Sequence, residues 1–241
     1  MKSWKEGFWL ATFELKVDLW KRIANQILLV CLFSFIVISM FDGYIENNVM
    51  GFDIVFLLLF FYSASWALPK AFQYQKISQN TYASPYFTLL NSIPIQRGSV
   101  IRSRFIVSFI NTVPIQIVIL LLLYYFSPEI QNMLTATEYI AFSIIWLGIG
   151  LSFGSLLPAS DVGDHVTKLG FIMISITFVF FGMLILFLFN VLVSGVVYST
   201  ITLATKWPLY SVIFTIIITI VSLKSWIKYA ENKVDRMDYF V

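Results

Sequence analysis

The chain has 241 residues, of which 59% are hydrophobic and only 12% charged, and its mean hydropathy is +0.84. That leaves too little polar surface to clothe a soluble domain. A single cysteine, Cys31, excludes an internal disulfide, a single histidine, His165, excludes a multi-histidine metal centre, and a net charge of +3 calls for no nucleic-acid partner.

Residues 1–22 form a mixed leader. Trp4, Phe8, Leu15 and Leu19 fall on one helical stripe, and Trp9, Phe13 and Trp20 on a second, with Lys5 and Lys16 close by. Such a helix suits the headgroup layer of a bilayer, with its aromatic side chains inward and its lysines toward phosphates. The other reading is a plain cytoplasmic extension of the first membrane helix. No cleavage pattern of small residues follows the first apolar run, so it reads as a retained span and not as a signal peptide.

Six apolar stretches follow, at 24–41, 51–69, 105–126, 139–157, 169–192 and 207–226. Each approaches the roughly 20 residues that a helix needs to cross about 30 Å of hydrocarbon. None shows the short alternating pattern of barrel strands. Fifteen of the sixteen Lys and Arg residues fall on one side of these stretches, and Lys206 is the exception. The opposite side carries Asp42, Glu46, Asp53, Glu129 and Glu138. Basic loops stay inside. The expected fold is therefore an all-α integral membrane protein with six transmembrane helices, both termini cytoplasmic and an N-terminal interfacial helix. Residues 23–241 make up the transmembrane domain. Asp53 and Lys224 are expected to reach the membrane interfaces from helix ends.

The most informative polar segment is 70–104, which contains no Asp or Glu. Its middle is too aromatic and apolar for a linker. Pro85 can open a helical turn, Ser84 can cap it, and Pro94 stops the chain soon after, so a short helix is predicted over 84–92. Its apolar side must be buried, either against a soluble partner or against this protein's own helices. On the outer side, the mildly apolar connection 193–206 can dip back into the membrane only if its backbone is covered by protein.

Several patterns are missing. There is no G-x-x-x-x-G-K-[ST] loop for nucleotide phosphates and no H-E-x-x-H zinc site. Carboxylates deep in the spans, which ion-coupled carriers use, are nearly lacking. Gly150-Leu151-Ser152-Phe153-Gly154 fits G-x-S-x-G, and an intramembrane serine hydrolase using Ser152 is one reading. That chemistry needs an imidazole, and His165 lies in the next loop. The other reading, which the missing base favours, is a small-residue patch that lets another helix approach, with Gly148 adding to it. Pro114 should kink the third span near Asn111 and Gln116. These two, with Ser63 and Ser65 of the second span, either line a substrate path or hydrogen-bond to neighbouring helices.

The leader, the six spans with both ends inside, and the run Leu89-Leu90-Asn91-Ser92-Ile93-Pro94-Ile95-Gln96-Arg97 together resemble the permease subunits of ABC-2 type bacterial exporters. In that family the run is commonly two apolar residues followed by Ser-Leu-Pro-[Ile/Val]-x-Arg, and here Ile93 replaces the commoner Leu. The resemblance implies a multi-pass protein of the bacterial cell membrane whose leader is an elbow-like helix. It implies that Tyr82, Pro85, Tyr86, Leu89, Leu90 and Arg97 form the contact with a separate P-loop ABC ATPase. It also implies pairing with a second six-helix permease, identical or related. ATP and Mg would bind in the ATPase, leaving this chain without a cofactor or catalytic residue. For a chain this small without an exterior domain, the resemblance implies export of amphipathic peptides, bacteriocins or drugs, or immunity against them. A non-transporting scaffold or sensor subunit is a third reading of the same chain.

Overall fold

The computed structural model describes residues 2–47, 49–66, 75–76, 81–83, 95–160 and 166–235. Ten helices are seen among them: α1 (Lys2–Lys16), α2 (Leu19–Asn47), α3 (Met50–Trp66), α4 (Arg97–Phe126), α5 (Pro128–Met133), α6 (Ala136–Gly154), α7 (Leu156–Ser160), α8 (Lys168–Val193), α9 (Val196–Lys206) and α10 (Pro208–Asp235). Three very short strands, β1 (Gln75–Lys76), β2 (Thr81–Ala83) and β3 (Val166–Thr167), pair antiparallel in the order β1-β2-β3. This small sheet is absent from the sequence reading. It joins the segment after α3 to the one before α8, two regions that the sequence places on the same side of the membrane.

Four helical stretches are long and apolar enough to cross a bilayer: Leu19–Glu46, Arg97–Phe126, Ala136–Ser160 and Pro208–Val234. A fifth arises if Gly182–Val193 and Val196–Lys206, bent by 52° at their junction, count as one broken span. The chain is thus a membrane-embedded, multi-pass helical protein. The predicted second span contains α3, an apolar helix of 17 described residues, and the remainder of that apolar run, 67–69, lies outside the described residues.

Local signals explain several helix ends. Thr135 and Glu138 form a capping box at the start of α6, with Thr135 N donating to Glu138 Oε2 at 2.8 Å. Ser127 caps α5 through Ile130 N, and Pro128 occupies its first turn, where the missing N–H costs nothing. Asp18 adopts φ 49°, a left-handed conformation that ends α1. The leader helix therefore stops at Lys16, and the first span starts at Leu19, earlier than the apolar run suggested.

α4 is the central element and touches α1, α2, α3, α5, α6, α7 and α10. It is one unbroken helix across Pro114. Two apolar clusters lie along it. The larger holds an aromatic chain, Phe41, Phe52, Phe56, Phe60 and Trp146, with successive ring centroids 5.0–5.6 Å apart. Such pairs add about 0.5–1.5 kcal/mol each beyond area burial. The Trp146 indole finds its hydrogen bond at Thr200 Oγ1, 2.9 Å away. The smaller cluster joins Leu10 of α1 to Val100, Ile101 and Phe105 of α4 and to Ala230 and Val234 of α10.

Candidate functional site

The first helix and the last turns of α10 meet at one end of the bundle, around the first two turns of α4. α1 turns a narrow face toward α4: Gly7, Leu10, Ala11 and Glu14, spaced i, i+3, i+4, i+7, are all buried. Gly7 is required by the close approach, because a methyl group there would lie 3.0 Å from Ser99 O. The aromatic side chains of α1 face away from the protein, with Trp9 68% and Phe13 58% exposed. That is the orientation expected of a helix lying in a headgroup layer.

Three polar links hold this end together. Arg104 Nη1 donates to both Glu14 oxygens at 2.7 and 2.8 Å, with the side chains 4% and 1% exposed. Burial raises the Glu14 carboxyl above its ordinary range, and the Arg104 guanidinium offsets only part of that rise. Arg102 reaches in two directions. It donates to Ser3 Oγ of α1, lies 5.2 Å from the centre of the Trp4 ring, and pairs with Glu231 of α10 at 3.2 Å. Finally, Ser99 Oγ donates to Glu6 Oε2 at 2.9 Å. Arg102 and Arg104 thus tie the start of α4 to α1 and α10.

The other end of the bundle has its own lock. Asp53 of α3 is 1% exposed, where the sequence reading placed it at an interface. Its carboxyl oxygens accept from Val196 N at 3.0 Å, Val197 N at 2.9 Å and Tyr44 Oη at 3.1 Å. Tyr44 Oη in turn accepts from Tyr198 N at 3.0 Å. The N-cap residue of α9 is Gly195, at φ 103°, which has no side chain to offer the first-turn N–H groups. Asp53 and Tyr44 satisfy them from two other helices, and a carboxyl at a helix N-terminus also suits the dipole. The connection 193–206 is therefore a helix folded onto the bundle, with Val197, Thr200, Ile201 and Ala204 buried.

Between the two locks lie the candidate path residues. Gln116 is fully buried, and its Nε2 donates to Phe60 O at 2.8 Å and Ser63 Oγ at 3.1 Å. Asn111 Oδ1 accepts from Gln26 Nε2 at 3.2 Å. Gln116 and Ser63 are thus brought together, and Asn111 is bonded to α2 instead. In this conformation these side chains join helices. Gln116 Oε1 and Asn111 Nδ2 remain buried without a hydrogen-bond partner. Nothing is described of the Ser65 side chain.

Each glycine of the small-residue patch has its own neighbour. A Cβ at Gly148 would overlap Thr215 Cγ2 of α10, and one at Gly150 would lie 2.8 Å from Gln116 Oε1. Gly154 is less confined, with Phe61 O at 3.5 Å. The Ser152 hydroxyl is buried with no hydrogen-bond partner, and Ser152 O accepts from Trp226 Nε1 at 3.1 Å. Among the described residues no base touches that hydroxyl, and α6 runs through Gly154 without a nucleophile turn. His165 lies outside the described residues.

The same holds for Pro85, Tyr86, Leu89 and Leu90 and for the short helix predicted over 84–92. Tyr82 is placed by its backbone alone, in β2, opposite Lys76 and Val166. Arg97 is exposed as the first residue of α4.

Sequence reasoning missed Glu14, Arg102, Arg104, Glu231, and the capping role of Asp53. One signal for Glu14 was legible: an acid that continues a stripe of Gly, Leu and Ala is an acid on a packed face. No family model, curated protein or solved structure matches the chain.

Proposed function

We propose that this chain is the transmembrane permease subunit of an ATP-binding-cassette exporter in a bacterial cell membrane. It crosses the membrane six times with both termini in the cytoplasm. It moves amphipathic peptides or drugs outward, working with a P-loop ATPase that supplies ATP and Mg and with a second permease subunit. The observation that carries this reading is the wiring of the start of α4. The acid-free segment 70–104 ends in Arg102 and Arg104, and these grip α1 and α10. Force applied to that segment by a partner would reach the leader helix, the last span and the central span together. The shared location of α1 and the end of α10 supports the placement of both termini on one side. The buried amides of Asn111 and Gln116 fit a path that opens only when helices separate.

The experiment is a charged replacement at the proposed knob. A buried apolar anchor in a protein interface is worth about 2 kcal/mol or more, or roughly thirtyfold in affinity. Leu89→Asp should therefore sever transport from ATP hydrolysis while membrane insertion and protein level stay normal. Unchanged transport by the Leu89→Asp protein would count against the reading.

A further inference from the structure

We infer that the hollow between α1, α4, α6 and α10 is a binding site for one anionic phospholipid. The hollow has a volume of about 920 Å³, at the upper end of the range of small-molecule sites. Its walls are apolar, built from Phe105 and Phe109 of α4, Leu151 of α6 and Ile220 of α10. Two lysines, Lys5 of α1 and Lys224 of α10, also border it, and both are exposed.

Charge complementarity selects the occupant. The nearby arginines are neutralised within the protein, Arg104 by Glu14 and Arg102 by Glu231. Lys5 and Lys224 make no ion pair or hydrogen bond among the described residues. Two uncompensated ammonium groups at the mouth of an apolar hollow match a phosphate-bearing head above acyl chains. A neutral apolar ligand would leave both charges unanswered. The level is right as well. α1 carries its aromatic side chains outward beside Lys5, as a helix in the headgroup layer does. Thr112, 2% exposed, is in the wall, and its Oγ1 has no hydrogen-bond partner. The lipid would fill the seam between the leader helix and the spans and stabilise their docking. This inference needs only the membrane embedding of the chain and stands apart from the exporter reading.

The test uses the full-length protein, delipidated in neutral detergent and titrated with phosphatidylglycerol, with phosphatidylcholine of the same acyl chains, or with inorganic phosphate. Retained lipid is counted by native mass spectrometry and thermal stability is followed in parallel. Phosphatidylglycerol should bind one per chain and raise the melting temperature, and phosphate alone should do neither. Near a membrane surface each lysine contributes about fivefold in affinity for anionic lipid, so Lys5→Ala/Lys224→Ala should lower retention roughly 10- to 30-fold. Ile220→Trp fills the hollow at a position already 48% exposed, so it should fold and should exclude the lipid. Equal retention of the two lipids, or undiminished phosphatidylglycerol retention in the double-lysine variant, would overturn the inference. So would a lipid-free dimer that Ile220→Trp dissociates, since a second copy would then occupy the hollow.

Discussion

Glu14→Ala should release α1 from the bundle at a cost of about 3–5 kcal/mol, because it leaves the Arg104 guanidinium buried without its carboxylate. The two side chains are 1% and 4% exposed, far from the regime of surface ion pairs, whose removal costs about 1 kcal/mol or less. The melting temperature in detergent should fall, and a cysteine introduced at Leu10 should become reactive, since Leu10 is 4% exposed when α1 is docked. A paired replacement separates charge burial from shape. Glu14→Leu/Arg104→Met exchanges the ion pair for apolar side chains of similar volume and should recover most of the loss, as buried pairs often allow. A Glu14→Ala effect no larger than that of Lys21→Ala, whose partner Asp18 is 55% exposed, would mean that the link does not hold the leader.

The second large effect is at the opposite end. Asp53→Ala removes the acceptor for two backbone N–H groups and one phenol, all in a buried setting. Unsatisfied buried donors cost about 1–3 kcal/mol each but do not add fully, so a total of about 2–4 kcal/mol is expected. Asp53→Asn keeps one acceptor oxygen and should cost about half as much. Hydrogen exchange should accelerate at Val196, Val197 and Tyr198 while the first turns of α4 keep their protection. Loss of protection spread evenly over both ends would show instead that Asp53 supports the whole bundle rather than the α9 cap.

Most of the helical framework was legible because apolar runs near 20 residues are a direct consequence of the bilayer as a solvent. The leader was legible as a helix from its aromatic spacing, and those aromatics are indeed the face left exposed. Its packed face was harder to see. Gly7, Leu10, Ala11 and Glu14 carry little hydrophobic signal, since close helix approach selects small residues and not greasy ones. Asp53 was misplaced for a related reason. A carboxyl near a helix end normally reaches water, and only the fold shows that another helix begins beside it, at Gly195, with no cap of its own. The bend between α8 and α9 was hidden because composition gives the length of an apolar run but not its path. The patch read at Gly150 and Gly154, with Gly148 added, is a site of close approach at Gly148 and Gly150, whereas Gly154 has only ordinary contact. That Gly150 makes room for the Gln116 amide, instead of for a second backbone, depends on tertiary register.

The most direct test of the central claim, that an external motor grips the segment between α3 and α4, is purification of the tagged protein with its neighbouring genes co-expressed. A P-loop ATPase should co-purify in roughly one-to-one amount, and Leu89→Asp should strip it away while the permease remains in the membrane fraction. If no nucleotide-hydrolysing subunit accompanies the wild-type protein in mild detergent or in nanodiscs, the exporter assignment is contradicted.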